Sequence, residues 1–170
     1  EGLQHQDGHG LLLASTLPNC VSYDPAFSYE LAVIIHDGLK RMYENEEDVY
    51  YYITLMNENY IQPEMPAGAA EGIIKGAYLF RKGEEGKTRV QLMGSGTILR
   101  EVIAASDLLK KDFGIESDIW SVPGINQLHR EGIEAERWNM THPGEKKKVP
   151  YLTKVLKGYS GPFVISTDYV

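Results

Sequence analysis

Strand-like apolar runs alternate with helical stretches along most of this chain, and that alternation most constrains its fold. The runs occupy residues 19–23, 49–56, 77–81, 88–93, 115–122 and 163–166. Between them, residues 24–43 and 97–113 carry apolar side chains at helical spacing. Strands joined by helices of this length form right-handed βαβ units. The pattern therefore predicts an α/β fold with a mostly parallel sheet.

Local signals predict where several elements begin and end. Asp24 and Pro25 suit a helix start, because Asp caps free amides and Pro loses no hydrogen bond at the first position. Residues 49–56 are apolar on both faces, which is typical of a buried strand. A turn at residues 83–86 is predicted to join the strands at 77–81 and 88–93. Gly114 is predicted to end the helix at residues 97–113. Residues 125–130, 135–140 and 151–156 are predicted to be helical.

The segment 57–70 is the predicted domain boundary. It contains Pro63, Pro66 and Gly68 and few large aliphatic residues, so it is too long and too proline-rich for a tight turn. We expect residues 1–60 to form one α/β piece, 61–70 a linker and 71–170 a second piece. Because the chain lacks an initial Met and stops just after an apolar run, we also expect it to be part of a longer protein.

Composition excludes several partners and compartments. The net charge of −7 argues against a nucleic acid or an anionic membrane surface as the main partner. The lysines at 146–148 are predicted to be a solvated loop. No apolar run approaches the ~20 residues of a membrane span, and no secretory pattern opens the chain. Cys20 is the single cysteine, so it is expected to be a small buried residue in a reducing cytoplasm.

The glycine-rich turn at 94–96 does not complete a dinucleotide-binding motif. The third glycine of that motif would fall at Leu99, and no acidic residue follows at the required distance. The segment instead predicts a strand-to-helix turn capped by Ser95 or Thr97. The chain also contains no G-x-S-x-G, P-loop or H-E-x-x-H motif.

His5-Gln6-Asp7-Gly8-His9 is the most suggestive cluster in the chain, within a predicted loop at residues 1–10. Three side chains there could ligate a transition metal, but flexible glycine-containing loops more often contact a substrate. A histidine in such a loop can donate a hydrogen bond or move a proton near neutral pH. We predict no metal site. His36 is expected in the core or an interface, and His129 and His142 in structural roles.

Seven blocks of sequence, in order, resemble one known family. They are residues 1–9, 17–25, 49–54, 57–60, 90–96, 136–140 and 166–169, with the intervening segments aligning without a large gap. Together they resemble the homodimeric E1 component of the pyruvate dehydrogenase complex, a thiamin-diphosphate-dependent family related to transketolase. Gln6 and Gly10 depart from that pattern, which usually has Glu and a small polar residue there.

The resemblance implies a fold, a function and a site. Residues 1–60 would be the end of the middle, pyrimidine-binding domain, and 71–170 an incomplete transketolase C-terminal-like domain. It implies an oxidoreductase that decarboxylates pyruvate on thiamin diphosphate and transfers the acetyl group to the lipoyl domain of the E2 acetyltransferase. Thiamin diphosphate and Mg²⁺ would be held mainly by regions absent from this chain, whose own cofactor-binding residues stay unknown. His5 would be the catalytic residue, facing the pyruvate-derived group.

The implied partners are a second E1 subunit, E2 and pyruvate, in the bacterial cytoplasm after glycolysis. Two alternatives remain open. A transketolase-like enzyme would act on sugar phosphates, but residues 1–30 contain no Lys or Arg to bind them. A non-catalytic dimerisation or docking fragment would use the tyrosine-rich strand at 50–52 and the helix carrying His36.

Overall fold

The computed structural model of the protein describes residues 7–85 and 88–169. It contains two sheets with helices packed around them. The strands are β1 (Cys20–Tyr23), β2 (Tyr50–Ile53), β3 (Tyr78–Arg81), β4 (Arg89–Gly94), β5 (Glu116–Ser121) and β6 (Phe163–Ser166). The helices are α1 (Gly10–Ser15), α2 (Ser28–Leu39), α3 (Ala69–Lys75), α4 (Ile98–Phe113), α5 (Ile125–Thr141) and α6 (Tyr151–Val155).

The first sheet pairs β1 with β2 in parallel, with Cys20 opposite Tyr50 and Tyr23 opposite Ile53. All of β1 is buried, and Cys20 is only 1% exposed, as predicted. The prediction that the second strand is buried on both faces was wrong, because its residues range from half-buried to exposed. Two of its tyrosines, Tyr51 and Tyr52, are partly covered and donate their hydroxyl hydrogens to Asp37 and Asp7.

Helix α2 starts later than the sequence indicated, so Asp24 is not its cap. The helix begins at Ser28, and the Glu30 carboxylate accepts hydrogen bonds from the amides of Ala26 and Phe27. Those bonds satisfy free amides at the helix start, which the Asp24 side chain was expected to do. At the other end, a π-helical turn at Lys40–Glu44 extends the helical conformation to the predicted limit.

The second sheet has the strand order β3-β5-β4-β6. Strand β4 is parallel to both β5 and β6, whereas β3 is antiparallel to β5. The prediction of a mostly parallel sheet is confirmed, and the turn at residues 94–96 ends a central strand. The strands on either side of the turn at 83–86 are not neighbours, because β5 lies between them. Asp118 of β5 holds that connection by accepting the Gly83 amide at 2.9 Å.

Helices cover both faces of the second sheet. Helix α4 packs Leu99 and Val102 against β4 and β5. On the opposite face, α5 and α6 pack against a cluster around Trp120, which is wholly buried and donates to Gln91 Oε1 at 2.9 Å. The two helical segments predicted at 125–130 and 135–140 are one continuous helix, α5, since Gly132 in its middle keeps a helical backbone.

The two sheets share a core although no strand joins them. Val21, Tyr23 and Ile34 from the first unit pack with Ile73 and Tyr78 from the second. Residues 57–68, which connect the units, form no helix or strand. In the part of the chain that the structure describes, no helix is both long enough and apolar enough to span a membrane.

Candidate functional site

The carboxyl ends of four parallel strands, two from each sheet, meet at one edge of the molecule. Thr54, just after β2, donates to Asp24 Oδ1 just after β1 at 2.7 Å. Ser95, just after β4, lies 3.0 Å from Thr167, just after β6. The Gly96 amide donates to the Asp24 carbonyl at 3.0 Å and so joins the two sheets. Ligands of open α/β sheets bind at this edge, which makes it the candidate site.

Asp24 is the buried acid of this edge. Burial raises the pKa of its carboxyl, hydrogen bonds from Thr54 and Ser95 lower it in part, and the nearby charge of Asp168 raises it further. Gly96 has a left-handed φ of 49°, and a Cβ there would lie 2.5 Å from the Asp24 carboxylate oxygens. Only glycine therefore lets the turn close on this carboxylate.

The histidine-containing loop leads into helix α1, which was not predicted. Asp7 Oδ1 accepts the amides of His9 at 3.1 Å and Gly10 at 2.6 Å, and the helix begins at Gly10. The loop predicted at residues 1–10 therefore ends at His9, one residue before its predicted limit. An aspartate four residues before an apolar Leu-Leu-Leu run was the signal that could have revealed this helix.

Asp7 also attaches this loop to the first sheet. Its Oδ2 accepts a hydrogen bond from Tyr52 Oη at 3.2 Å, close to the carboxyl end of β2. Burial raises the pKa of the Tyr52 hydroxyl, and the hydrogen bond and charge of Asp7 raise it further. Burial likewise raises the pKa of Tyr169, whose hydroxyl bonds to Thr54 and lies near Asp24 and Asp7.

We call these residues the carboxyl-edge cluster. Its members are Asp7, Asp24, Tyr52, Thr54, Ser95, Thr167 and Tyr169. Sequence reasoning did not single out Tyr52, Thr54 or Asp24 as site residues. Their positions at the ends of predicted parallel strands were the available signal, but that signal needs the strand order to be known.

The histidines are spread over the molecule. His5 lies outside the described residues, so its predicted role stays a prediction. His9 and His129 are exposed. His36 is also exposed on α2, so it is not in the core, and its place in an interface stays a prediction. His142 stacks on Trp138 with ring centroids 3.6 Å apart, and its Nδ1 lies 3.1 Å from the Trp138 carbonyl, which is a structural role as predicted.

The predicted capping of the turn at 94–96 was wrong, although the turn itself is present. Thr97 makes no side-chain cap for α4, and Ser95 instead bonds to Thr167. The turn brings Gly94 close to α4, since a Cβ on Gly94 would lie only 3.0 Å from the Leu99 Cα. Close packing of β4 against α4, rather than a nucleotide, accounts for the first glycine.

The described residues do not fit a diphosphate, and they form no dedicated metal-binding cluster. The cluster and its surroundings carry the acids Asp7, Asp24 and Asp168, whereas a diphosphate needs cations or free helix amides. Nowhere in residues 7–85 and 88–169 do three His, Cys, Asp or Glu side chains converge to hold a metal ion. What this edge can do is present hydroxyls and carboxylates that orient a loop or a neutral or cationic group.

A groove of about 1030 Å³ lies elsewhere, between α5, α6 and the start of β6. Lys146, Lys147 and Lys148 line it, with Phe163 and Leu156 among its apolar walls. Asn139 holds this loop by accepting the Lys148 amide at 2.8 Å and donating to the Lys148 carbonyl at 2.9 Å. No member of the carboxyl-edge cluster lines the groove.

Two family descriptions match the chain. Residues 1–63 match the pyruvate dehydrogenase E1 component middle domain, and residues 76–170 match the transketolase-like C-terminal domain. Over its whole length the chain is 59% identical to the pyruvate dehydrogenase E1 component of Cupriavidus necator, 58% to that of Pseudomonas aeruginosa and 55% to that of Escherichia coli. It spans 19% of the length of each of these relatives.

Solved transketolases share the fold at low sequence identity. The enzyme from Leishmania mexicana superposes with a TM-score of 0.66 at 16% identity, covering 98% of this chain and 21% of that one. A mutant transketolase from Pichia stipitis superposes with a TM-score of 0.57 at 16% identity, covering 95% and 22%. With a transketolase-like C-terminal domain following an E1 middle-domain segment, this chain belongs to the family of the pyruvate dehydrogenase E1 component.

Proposed function

We propose that this chain is part of an enzyme that oxidatively decarboxylates pyruvate and transfers the acetyl group to the lipoyl domain of E2. The observation that supports this most is the histidine loop, bonded through Asp7 to the carboxyl edge of β2, in a chain 55–59% identical over its full length to named E1 components. Thiamin diphosphate supplies the carbanion chemistry when it is bound. The diphosphate and its Mg²⁺ are held by the rest of the protein, since the residues of the carboxyl-edge cluster do not fit a diphosphate.

The domain assignment is part of this proposal. Residues 1–60 belong to the middle, pyrimidine-binding domain, 61–70 to a linker and 71–170 to the C-terminal domain. The separate sheets on either side of residues 57–68 support this division. We also propose a cytoplasmic homodimer. Exposed apolar side chains on α1, α2 and the following turn support it, because exposed apolar surface can mark a protein interface. They are Leu12, Leu13, Ile35, Leu39 and Tyr43.

In this proposal His5 is the catalytic residue of the chain. It donates a hydrogen bond to the carboxylate or hydroxyl of the pyruvate-derived group and stabilises the charge that develops there. Loops at the carboxyl edge of a parallel sheet can direct such a side chain into a cleft rather than into a core.

Steady-state kinetics of the full-length enzyme test this role. We expect His5→Ala to lower kcat for pyruvate roughly 10²–10³-fold, a loss of about 2–4 kcal/mol, with little change in thiamin diphosphate affinity. His9→Ala is the matched control and should do less, because His9 is exposed and contributes its backbone amide to Asp7. Turnover of His5→Ala within about threefold of wild type, only ~0.65 kcal/mol, would show that the assignment is wrong.

The transketolase alternative predicts turnover of sugar phosphates. The lack of Lys and Arg in residues 1–30 argues against it, because phosphate groups are bound mainly by such cations. Assaying the full-length protein with pyruvate and with a sugar phosphate separates the two enzymes. A protein inactive with both, but still dimeric, would instead support the non-catalytic docking fragment.

A further inference from the structure

The turn between β1 and α2 is buried against the second unit. Every residue from Asp24 to Phe27 is buried. Ala26 and Phe27 pack in one cluster with apolar side chains of the second sheet and of helix α4. The Phe27 ring also stacks on Phe80 of β3, with ring centroids 5.4 Å apart. The first unit is therefore packed into the core of the second, and residues 57–68 are not its only attachment.

Glu30 connects that turn to two strands of the second unit. Its side chain is wholly buried. Oε2 accepts the amides of Ala26 at 2.5 Å and of Phe27 at 3.1 Å. Oε1 accepts from Tyr78 Oη at 2.6 Å and from Ser121 Oγ at 2.5 Å, and these two residues are paired opposite each other in β3 and β5. One oxygen thus binds the turn of the first unit, and the other binds the second sheet.

The four hydrogen bonds offset the burial of the Glu30 carboxyl. In the part of the chain that the structure describes, no Lys, Arg or His side chain pairs with Glu30. Burial raises the pKa of this carboxyl, and the bonds from Ser121, Tyr78 and the two amides lower it in part. A buried polar group that loses its partners is strongly destabilised. Separating the two units would remove two of the four bonds at once, so the closed arrangement is favoured.

We propose that Glu30 fixes the first unit on the second and is thereby a positioning residue for Asp24 at the carboxyl edge. Asp24 lies two residues before Ala26, whose amide Glu30 holds. The backbone of Asp24 also bonds across the two units: its amide donates to the Pro123 carbonyl at 2.7 Å, and its carbonyl accepts the Gly96 amide at 3.0 Å. The two halves of the carboxyl-edge cluster are therefore held in one arrangement, and the connection between the units does not act as a hinge. This inference does not depend on the proposed activity.

Residue-resolved hydrogen exchange of the full-length protein with Ser121→Ala tests the proposal. The amides of Asp24 and Gly96 bond across the two units, so their exchange reports opening of that contact. We expect both amides to exchange roughly tenfold faster than in the wild type, because Glu30 loses one of its two bonds to the second sheet. The Thr54 amide bonds within the first unit, so its exchange should change by less than about twofold.

Ser117→Ala is the matched control. Ser117 is also a buried serine of β5, and its hydroxyl lies 2.5 Å from the Ser106 hydroxyl on α4. Its replacement removes the same kind of bond from the same strand, but within the second unit. The amides of Asp24 and Gly96 should then exchange within about twofold of the wild type. Equal acceleration in Ser117→Ala and Ser121→Ala would overturn the proposal, because it would report general loosening of β5.

Replacements of Glu30 test whether its hydrogen bonds are responsible. Glutamine keeps an oxygen for the two amides, and its NH₂ group can donate to both hydroxyls, since hydroxyls also accept. Leucine has a similar size but offers no acceptor to any of the four donors. We expect the Asp24 amide to exchange roughly 100-fold faster than in the wild type in Glu30→Leu, but within about tenfold in Glu30→Gln.

Two results would contradict this role of Glu30. One is equal exchange of the Asp24 amide in Glu30→Leu and Glu30→Gln, since the hydrogen bonds would then not matter. The other is acceleration of the Thr54 amide to the same extent as the Asp24 amide, since the whole first unit would then be loosened. If Glu30→Leu does not fold, the comparison of Ser121→Ala with Ser117→Ala still decides the question.

Discussion

The Asp118 side chain on β5 is wholly buried, and its carboxylate accepts four hydrogen bonds. Arg89 Nη1 donates to its two oxygens at 2.8 and 2.9 Å, Gln91 Nε2 at 2.8 Å and the Gly83 amide at 2.9 Å. Gln91 in turn accepts from Trp120. Replacing Asp118 with Asn keeps the shape of the side chain but replaces one acceptor oxygen with an NH₂ group. That group would then face another hydrogen-bond donor.

The stability lost in Asp118→Asn follows from the burial of the Arg89–Asp118 ion pair. The Arg89 side chain is only 14% exposed, so Asp118→Asn leaves its charge largely desolvated, with two carbonyls of the preceding turn as remaining partners. Removing one partner of a buried ion pair costs about 3–5 kcal/mol. We expect the lower end, about 3 kcal/mol, because the amide oxygen can still accept from one or two of the three donor groups. That is roughly a 150-fold rise in the opening equilibrium of the sheet.

Hydrogen exchange of β4 and β5 peptides in the full-length protein measures this local opening. Asp107→Asn is the matched control, since Asp107 also pairs with an arginine, Arg81, at 2.8 Å. This pair lies at the surface, because the Arg81 side chain is 41% exposed and the Asp107 side chain 66%. Exposed pairs contribute little, so the control should exchange nearly as wild type. If both variants exchanged alike, burial of the pair would not be what makes Asp118 important.

The same network predicts a pH dependence. Burial raises the pKa of the Asp118 carboxyl, but bonds from Gln91, Gly83 and Arg89, with the charge of Arg89, outweigh it and hold the pKa below its ordinary value. A carboxyl with a lowered folded pKa stabilises the fold above its unfolded pKa of about 3.9 and loses that contribution as pH falls. The difference between wild type and Asp118→Asn should therefore shrink below about pH 4. A constant difference down to pH 2 would contradict this account.

Two further predictions follow from the same structure. Calorimetry of the isolated 170-residue chain with thiamin diphosphate and Mg²⁺ should detect no micromolar binding, because the carboxyl-edge cluster contains no cation to bind the diphosphate. Micromolar binding would place the cofactor site within this chain. Gly96→Ala should lower the unfolding free energy by about 2 kcal/mol, since φ is 49° and the new Cβ would press on Asp24. Gly114→Ala, where φ is 64° but no atom lies near the new Cβ, should lower the unfolding free energy by only about 1 kcal/mol. Thermal unfolding of both variants measures the difference.

Features that depend on near neighbours in sequence were predicted well. The alternation of apolar runs and amphipathic stretches predicted the α/β class and the parallel sheet, because side-chain period and hydrophobic burial are local properties. Gly114 ended α4 where expected, since a left-handed φ of 64° suits glycine. The family resemblance likewise needed only short blocks of sequence in order.

Tertiary contacts decided the rest. The Asp24–Pro25 pair has the composition of a helix start, but Asp24 bonds to Thr54, thirty positions away, and Glu30 takes over the amides. The strand order β3-β5-β4-β6 depends on which edges meet after folding, and no local pattern encodes it. The same holds for the candidate site: the Asp7–Tyr52 contact spans 45 positions. The sequence by itself determined most of the elements and the family. Only the packed chain brings the ends of four strands to one edge, because long-range pairing is chosen by total burial and hydrogen bonding and not by neighbouring residues.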